Sequence, residues 1–247
     1  MRPRGHARHR DHLTQFRLEE ITGPEDARLG DLAALLERTF ADPNSVLGLD
    51  RIRQFLSEPA GNDAQRRFHV VAAESADAAR ILGLSIFSYV PRANCGFSEY
   101  MVVDQHLRGR GLGRALFDRR KATLDADASR HAQSACNGVF IEVDSPWRTP
   151  PELLAADSFD AHERLRIFRH LGFRRVSLAY VQPPLAPDKA PVEHLDLLFA
   201  PWATRPRGES ELSARWIVDT LAAIWSAWAP SVAPTYLAQL QQQLTGV

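Results

Sequence analysis

The residues with the greatest capacity for chemistry lie between Ser98 and Leu116, in the run Ser-Glu-Tyr-Met-Val-Val-Asp-Gln-His-Leu-Arg-Gly-Arg-Gly-Leu-Gly-Arg-Ala-Leu. Gly109, Gly111 and Gly113 are interleaved there with Arg108, Arg110 and Leu112, and Arg114 follows. Glycine lets main-chain N–H groups close on a ligand without a Cβ in the way, and a helix that opens there adds the partial positive charge of its N-terminus. Arginine adds full charge and forked donors. The combination suits phosphate oxygens, a pyrophosphate above all. Two familiar spacings are excluded: the run is Gly-x-Gly-x-Gly rather than the dinucleotide G-x-G-x-x-G, and it lacks the lysine of a nucleotide phosphate loop. A glycine-rich surface turn with solvated arginines is the plain alternative, and the run alone does not decide against it.

Further along, Glu142 interrupts the apolar stretch Val139-Phe140-Ile141 and Val143. A carboxylate inside an apolar strand needs a partner or a task. Asp144, two residues on, shares its face by strand alternation. Metal chemistry finds no support: Cys95 and Cys136 stand in no Cys/His pattern, His6, His9 and His12 crowd the N-terminus, and the other histidines lack ligand spacing.

These residues need elements to hold them. Phe16 to Ile21 alternates as a first strand, and Leu29, Leu32, Leu35 and Leu36 follow at helical spacing up to about Phe40. Asp42 to Ser45 is a loop, and Leu47 to Leu56 predicts a second helix with Leu49, Ile52 and Leu56 inward. Phe68 to Ala73 and Ile81 to Val90 predict a hairpin across a short polar turn. Tyr100 to Val103 is the next strand. The glycines then open a helix from Leu112 to about Leu124, with Leu112, Leu116 and Phe117 inward. Gly138 to Val143 is a strand, and Phe159 to Leu171 a helix stopped by Gly172. Arg174 to Val181 and His194 to Phe199 predict two strands around a proline-rich loop. From Pro201 the pattern changes: a linker with Pro206 and Gly208, an apolar helix from Glu209 to Trp228, and a Gln-rich helix from Tyr236 to Leu244. The sum is a layered α/β (α+β) architecture.

The 247 residues, 45% of them apolar and 24% charged, suffice for a substantial core. Thirty basic and thirty acidic side chains cancel, so nothing global argues for nucleic acid or an anionic membrane as partner. No apolar stretch is long enough for a bilayer, and two cysteines make no disulfide framework, so a reducing cytoplasm is the expected compartment. Residues 1–14, rich in arginine and histidine, read as a disordered basic tail.

The pattern from Val103 through Arg108-Gly-Arg-Gly111-Leu-Gly113 to Leu116 resembles the acetyl-CoA signature of the GNAT acetyltransferase family: arginine or glutamine, two residues, glycine, one residue, then glycine or alanine. Phe168-Arg-His-Leu-Gly172-Phe173 is similar to the family's later helix-to-strand element, and the order of elements from Phe16 to Phe199 is also similar. The resemblance implies a GNAT fold over residues 15–200: a central mixed, mostly antiparallel sheet splayed between its fourth and fifth strands, with helices on both faces. Residues 201–247 would add a linker and a C-terminal helical extension.

By this resemblance the co-substrate is acetyl-CoA, with no metal. The amides of Arg108, Gly109, Arg110, Gly111, Leu112 and Gly113 would hold its pyrophosphate, with the side chains of Arg108, Arg110 and Arg114 adding charge. Met101, Val102 and Val103 would pair with the pantetheine arm, the Val103 amide serving the oxyanion, and Phe168 would lie against the cofactor. The reaction implied is N-acetyl transfer to a primary amine of a small molecule by direct attack on the thioester. Such attack needs a base. Glu99 is the first choice, placed by alternation on the face of Met101 and Val103; Glu142 is the second, as base through water, amine ligand or partner of an arginine. Phe168 stands where the family often has a tyrosine, so no acid is assigned for the departing thiolate; Tyr100, Tyr180 and His170 are conceivable donors. Asp42, Glu99, Glu142, Asp144 and Asp188 would make the acceptor rim acidic and favour a cationic amine. The competing readings are a protein lysine or N-terminal acetyltransferase and a non-catalytic acyl-CoA-binding or sensor module. The Trp-rich C-terminal helix is read in three ways: packed on the domain, a homodimer interface, or a partner-binding face.

Overall fold

The computed structural model describes residues 16–58, 64–75, 80–202 and 212–245; the N-terminal basic tail and most of the linker fall outside these. The elements in order are β1 (Phe16–Ile21), α1 (Arg28–Thr39), α2 (Leu49–Ser57), β2 (Arg67–Ser75), β3 (Ile81–Val90), β4 (Cys95–Val103), α3 (Leu112–Arg130), β5 (Gly138–Asp144), α4 (Pro151–Ala156), α5 (Ala161–His170), β6 (Arg174–Arg175), β7 (Leu195–Pro201), α6 (Ala214–Trp228) and α7 (Ala233–Thr245).

The strands form one sheet in the order β1-β2-β3-β4-β5-β7-β6. Neighbours are antiparallel except β4 and β5, which run parallel and pair only from Gly96 to Ser98 against Val139 to Ile141. Beyond Ser98 and Ile141 the two strands part. All ten residues of β3 are buried, Ser85 and Ser88 among them, because helices cover both its faces. On one face α1, α2, α6 and α7 pack through Leu29, Leu32, Leu36, Ile52, Phe55 and Leu221. On the other lie α3 and α5, through Leu112, Leu116, Leu124 and the partly buried Leu165 and Phe168. Gly96 admits α3 closely: a Cβ there would meet Leu124 Cδ1 at 2.5 Å.

The C-terminal helix packs on the domain itself. Trp225 and Trp228 are buried in the same core as β3 and β4, with the Trp228 ring 5.5 Å from Phe97 and Trp225 6.0 Å from Tyr180. Two expectations need correction. The strand foreseen from Arg174 to Val181 is reduced to Arg174–Arg175, because the chain leaves β7 after Val176. The Ala179 amide bonds instead to Gln243 Oε1 of α7 at 2.8 Å, and Tyr180 dips beneath α6. The helix foreseen from Leu112 to Leu124 runs on to Arg130, and the helix α4 was not foreseen.

Candidate functional site

Where β4 and β5 part, a cavity of about 250 Å³ opens. Its walls include Glu99 to Val103 of β4, Ile141 to Asp144 of β5, Arg120 of α3, and Phe159, Arg164 and Phe168 in and before α5. Thr39, Phe40 and Ser45 close the side of α1. The structure thus gathers Glu99, Glu142, Met101, Val102, Val103, Arg108 and Phe168 around one space, with the glycine run at its edge.

The glycine run is shaped by backbone conformation. Gly109 and Gly111 take φ of 76° and 85°, the left-handed region that glycine enters without strain. A Cβ at either position would meet nothing, so the requirement is torsional rather than steric. Gly111 caps α3, and the helix's first bond joins the Ala115 amide to the Gly111 carbonyl. The helix therefore makes no use of the amides of Leu112, Gly113 and Arg114, which lie at its positive end. The Arg108 guanidinium donates to the Ser158 carbonyl at 2.7 Å and to Ser158 Oγ at 2.9 Å, and stacks on Phe159. Arg114 pairs with Asp118 one turn on, at 2.9 Å.

Glu99 owes its position to a β-bulge. Ile86 pairs with Tyr100 and Phe87 with Ser98, which leaves Glu99 without an opposite residue. The bulge breaks the alternation from which its face was inferred: Met101 and Val103 lean towards α3, whereas Glu99 turns towards Ser88 and Arg66. Its Oε1 accepts from Ser88 Oγ at 2.6 Å and lies 3.8 Å from Arg66 Nη1, while Oε2 has no hydrogen-bond partner. Burial raises its pKa to about 7, against the opposing pull of Arg66 and the bond from Ser88.

Glu142 pairs with a phenol and not with an arginine. Tyr180 donates to its Oε1 in a short hydrogen bond. Burial pushes the Glu142 carboxyl up to about 8, with the nearby charge of Glu99 adding to the rise. Burial thus lifts both carboxyls out of the ordinary range, Glu142 the further, and brings Glu99 to where it can exchange a proton near neutrality.

The acidic rim does not form as expected. Asp144 is neutralised by Arg164 at 2.7 Å and faces His194 at 3.5 Å. Asp42 caps the turn at Pro43, accepting from the Asn44 amide at 2.9 Å, and Asp188 does not line the cavity. Glu99 is itself within 3.8 Å of the Arg66 guanidinium, and burial raises both Glu99 and Glu142, so a cationic acceptor is not selected by the rim. Two of the conceivable proton donors also have other duties: Tyr100 OH donates to the Ser45 carbonyl and accepts from the Leu47 amide, both at 2.8 Å, and His170 is exposed beside Arg166.

Sequence reasoning passed over Arg66, Ser88, Arg164 and Arg120. The first three meet their carboxylates in the site only through the fold, Arg66 and Ser88 at Glu99 and Arg164 at Asp144. Arg120 left a signal: it follows Leu112 and Leu116 and precedes Leu124 at intervals of four, inside an otherwise apolar stripe. Its side chain is 1% exposed, and burial lowers its pKa to about 10. Among the described residues no cluster of His, Cys, Asp and Glu is grouped to hold a metal, and no helix is long and apolar enough to cross a membrane.

No family model and no curated protein sequence matches the chain. Solved structures do. A Bacteroides thetaiotaomicron protein assigned to the GNAT acetyltransferase family aligns over 94% of this chain and 99% of its own, at 17% identity and a TM-score of 0.50. The ribosomal-protein-S18-alanine N-acetyltransferase of Escherichia coli aligns over 80% of this chain and 100% of its own (14% identity, TM-score 0.48), and a Staphylococcus aureus GNAT acetyltransferase over 76% and 99% (14%, 0.48). The first of these carries the comparison, and at such identities what it shows is the fold: a seven-stranded mixed sheet, open and splayed at its parallel pair, with helices on both faces.

Proposed function

On this GNAT fold, we propose that the chain is an acyl-CoA-dependent N-acyltransferase, with acetyl-CoA the donor that its glycine signature implies. The observation that carries the reading is the junction of two features at one place. The left-handed Gly109 and Gly111 before α3 offer unspent amides to a pyrophosphate, and the β4–β5 gap beside them leads to a buried carboxyl titrating near neutrality. Met101, Val102 and Val103 border that gap, where β4 no longer pairs with β5 and its edge is open to the pantetheine amides.

The chemistry proceeds from there. Glu99 Oε2, free of hydrogen bonds, takes the proton of the acceptor amine. The amine nitrogen attacks the thioester carbonyl carbon, the C–S bond breaks, and the amide and free thiol leave. Main-chain N–H groups of the bulged strand stabilise the oxyanion. Phe168 offers no proton at the site, and Glu142, held protonated against Tyr180, is the group fitted to supply one to the thiolate. A thiol pKa of ~8.5 makes that help modest. The acceptor in this proposal is a primary amine of a small molecule, which a space of about 250 Å³ lined by Phe40 and Phe168 can admit.

Release of free thiol from acetyl-CoA over a panel of primary amines tests this reading. Turnover with at least one amine is expected. Tight CoA binding with no turnover over the panel would mark a non-catalytic acyl-CoA-binding module instead.

A further inference from the structure

Arg120 is a charge that the proposed reaction does not use. It sits on the sheet-facing stripe of α3, where leucine precedes and follows it, and packing alone asks for another apolar side chain. Its Nη1 donates to Ser98 Oγ at 2.5 Å, and its guanidinium carbon lies 5.2 Å from the Phe117 ring centroid. Nε and Nη2 are buried and have no hydrogen-bond partner. Leaving a guanidinium buried and short of acceptors is unfavourable.

The charges around it do not complete it. Glu99 is engaged by Ser88 and Arg66, Glu142 by Tyr180, and Asp144 by Arg164. Among the described residues Arg120 has no carboxylate within ion-pair distance, and Glu99 reaches it only as a more distant charge. Its place is informative as well: Ser98 is the last residue of β4 that pairs with β5, opposite Ile141, so Arg120 stands at the vertex of the gap and lines the same cavity. A thioester entering from the glycine run would bring its acyl end to this vertex.

We propose that Arg120 receives a substrate carboxylate at the vertex of the β4–β5 gap, the favoured occupant being the terminal carboxylate of a dicarboxylic acyl chain carried on CoA. A planar carboxylate matches the two unspent guanidinium donors, whereas an acetyl methyl leaves them unmet. The inference rests on the acyl-CoA reading. The same carboxylate chemistry arises in an acceptor that is an amino acid, and the test separates the two sources.

The measurements are the affinities of wild-type protein for CoA, butyryl-CoA and succinyl-CoA, followed by thiol release with glutamate against butylamine. Succinyl-CoA is expected to bind at least about tenfold more tightly than butyryl-CoA, its apolar counterpart of equal length, through a bidentate charge-assisted contact. Arg120→Met should remove the ratio and Arg120→Lys should restore part of it. A preference for glutamate with no donor preference would support the carboxylate role and assign it to the acceptor. CoA binding without either preference would overturn the inference and leave the acyl-CoA reading intact, as would a preference that survives in folded Arg120→Met. Absence of CoA binding would overturn both. Should the variants fail to fold, the wild-type ratios still decide.

Discussion

Glu99 illustrates how little separates a structural carboxylate from a reactive one. One residue of bulge turns it from the α3 face to a pocket between Ser88 and Arg66 and leaves one oxygen unspent. The consequence for stability has a definite sign. Unfolded, the carboxyl titrates near 4.5; folded, near 7, so between these values the native state holds a proton that the unfolded state has lost. The stabilising effect of that proton is present below pH 4.5 and is lost as pH rises towards 7, by at most about 3 kcal/mol. Glu142 acts in the same direction up to about pH 8. Thermal melts of wild type should therefore fall from pH 5 to pH 8 relative to Glu99→Gln, which should be flatter; a wild type no more pH-sensitive than the variant would show that Glu99 is solvated.

At the scale of elements, the conformation of the α3 entry matters more than its volume. Gly111→Ala forces an L-residue into the left-handed region at φ 85°, a cost of about 1–2 kcal/mol, and should raise KM for acetyl-CoA. Gly113→Ala should be tolerated, because its Cβ would meet only Val103 Cγ2 at 3.7 Å and its φ is not left-handed. Equal KM values for the two variants would count against the phosphate cradle. This element was legible in the sequence because a helix entry is local: the glycine spacing and the apolar period together state it. The bulge was not legible, since a register shift is settled by the partner strand β3. Nor were the partners of Glu99 and Glu142, because Arg66, Ser88 and Tyr180 arrive from other parts of the chain. The strand lost after Arg175 shows the same limit. Its alternating pattern was sound, but Gln243 of α7 took the backbone group that a strand partner would have used.

For the whole molecule, the face of the sheet opposite α3 is completed by the C-terminal helices. Trp228 and Trp225 are nearly fully buried there, so α6 is part of the core that holds β4 and, through Tyr180, the roof over Glu142. Trp228→Ala should cost about 3–5 kcal/mol in denaturant unfolding; a loss under about 1 kcal/mol would mean that α6 is only loosely attached. Glu99 is the base we propose for the joining of an acyl thioester to an amine in the β4–β5 cleft. The pH dependence of kcat/KM for amine acylation in wild type and Glu99→Gln tests this proposal most directly. Wild type should rise through pH about 7, and the variant should lose that limb together with about 10²–10⁴ of the rate. An unchanged rate and profile in Glu99→Gln would contradict the account.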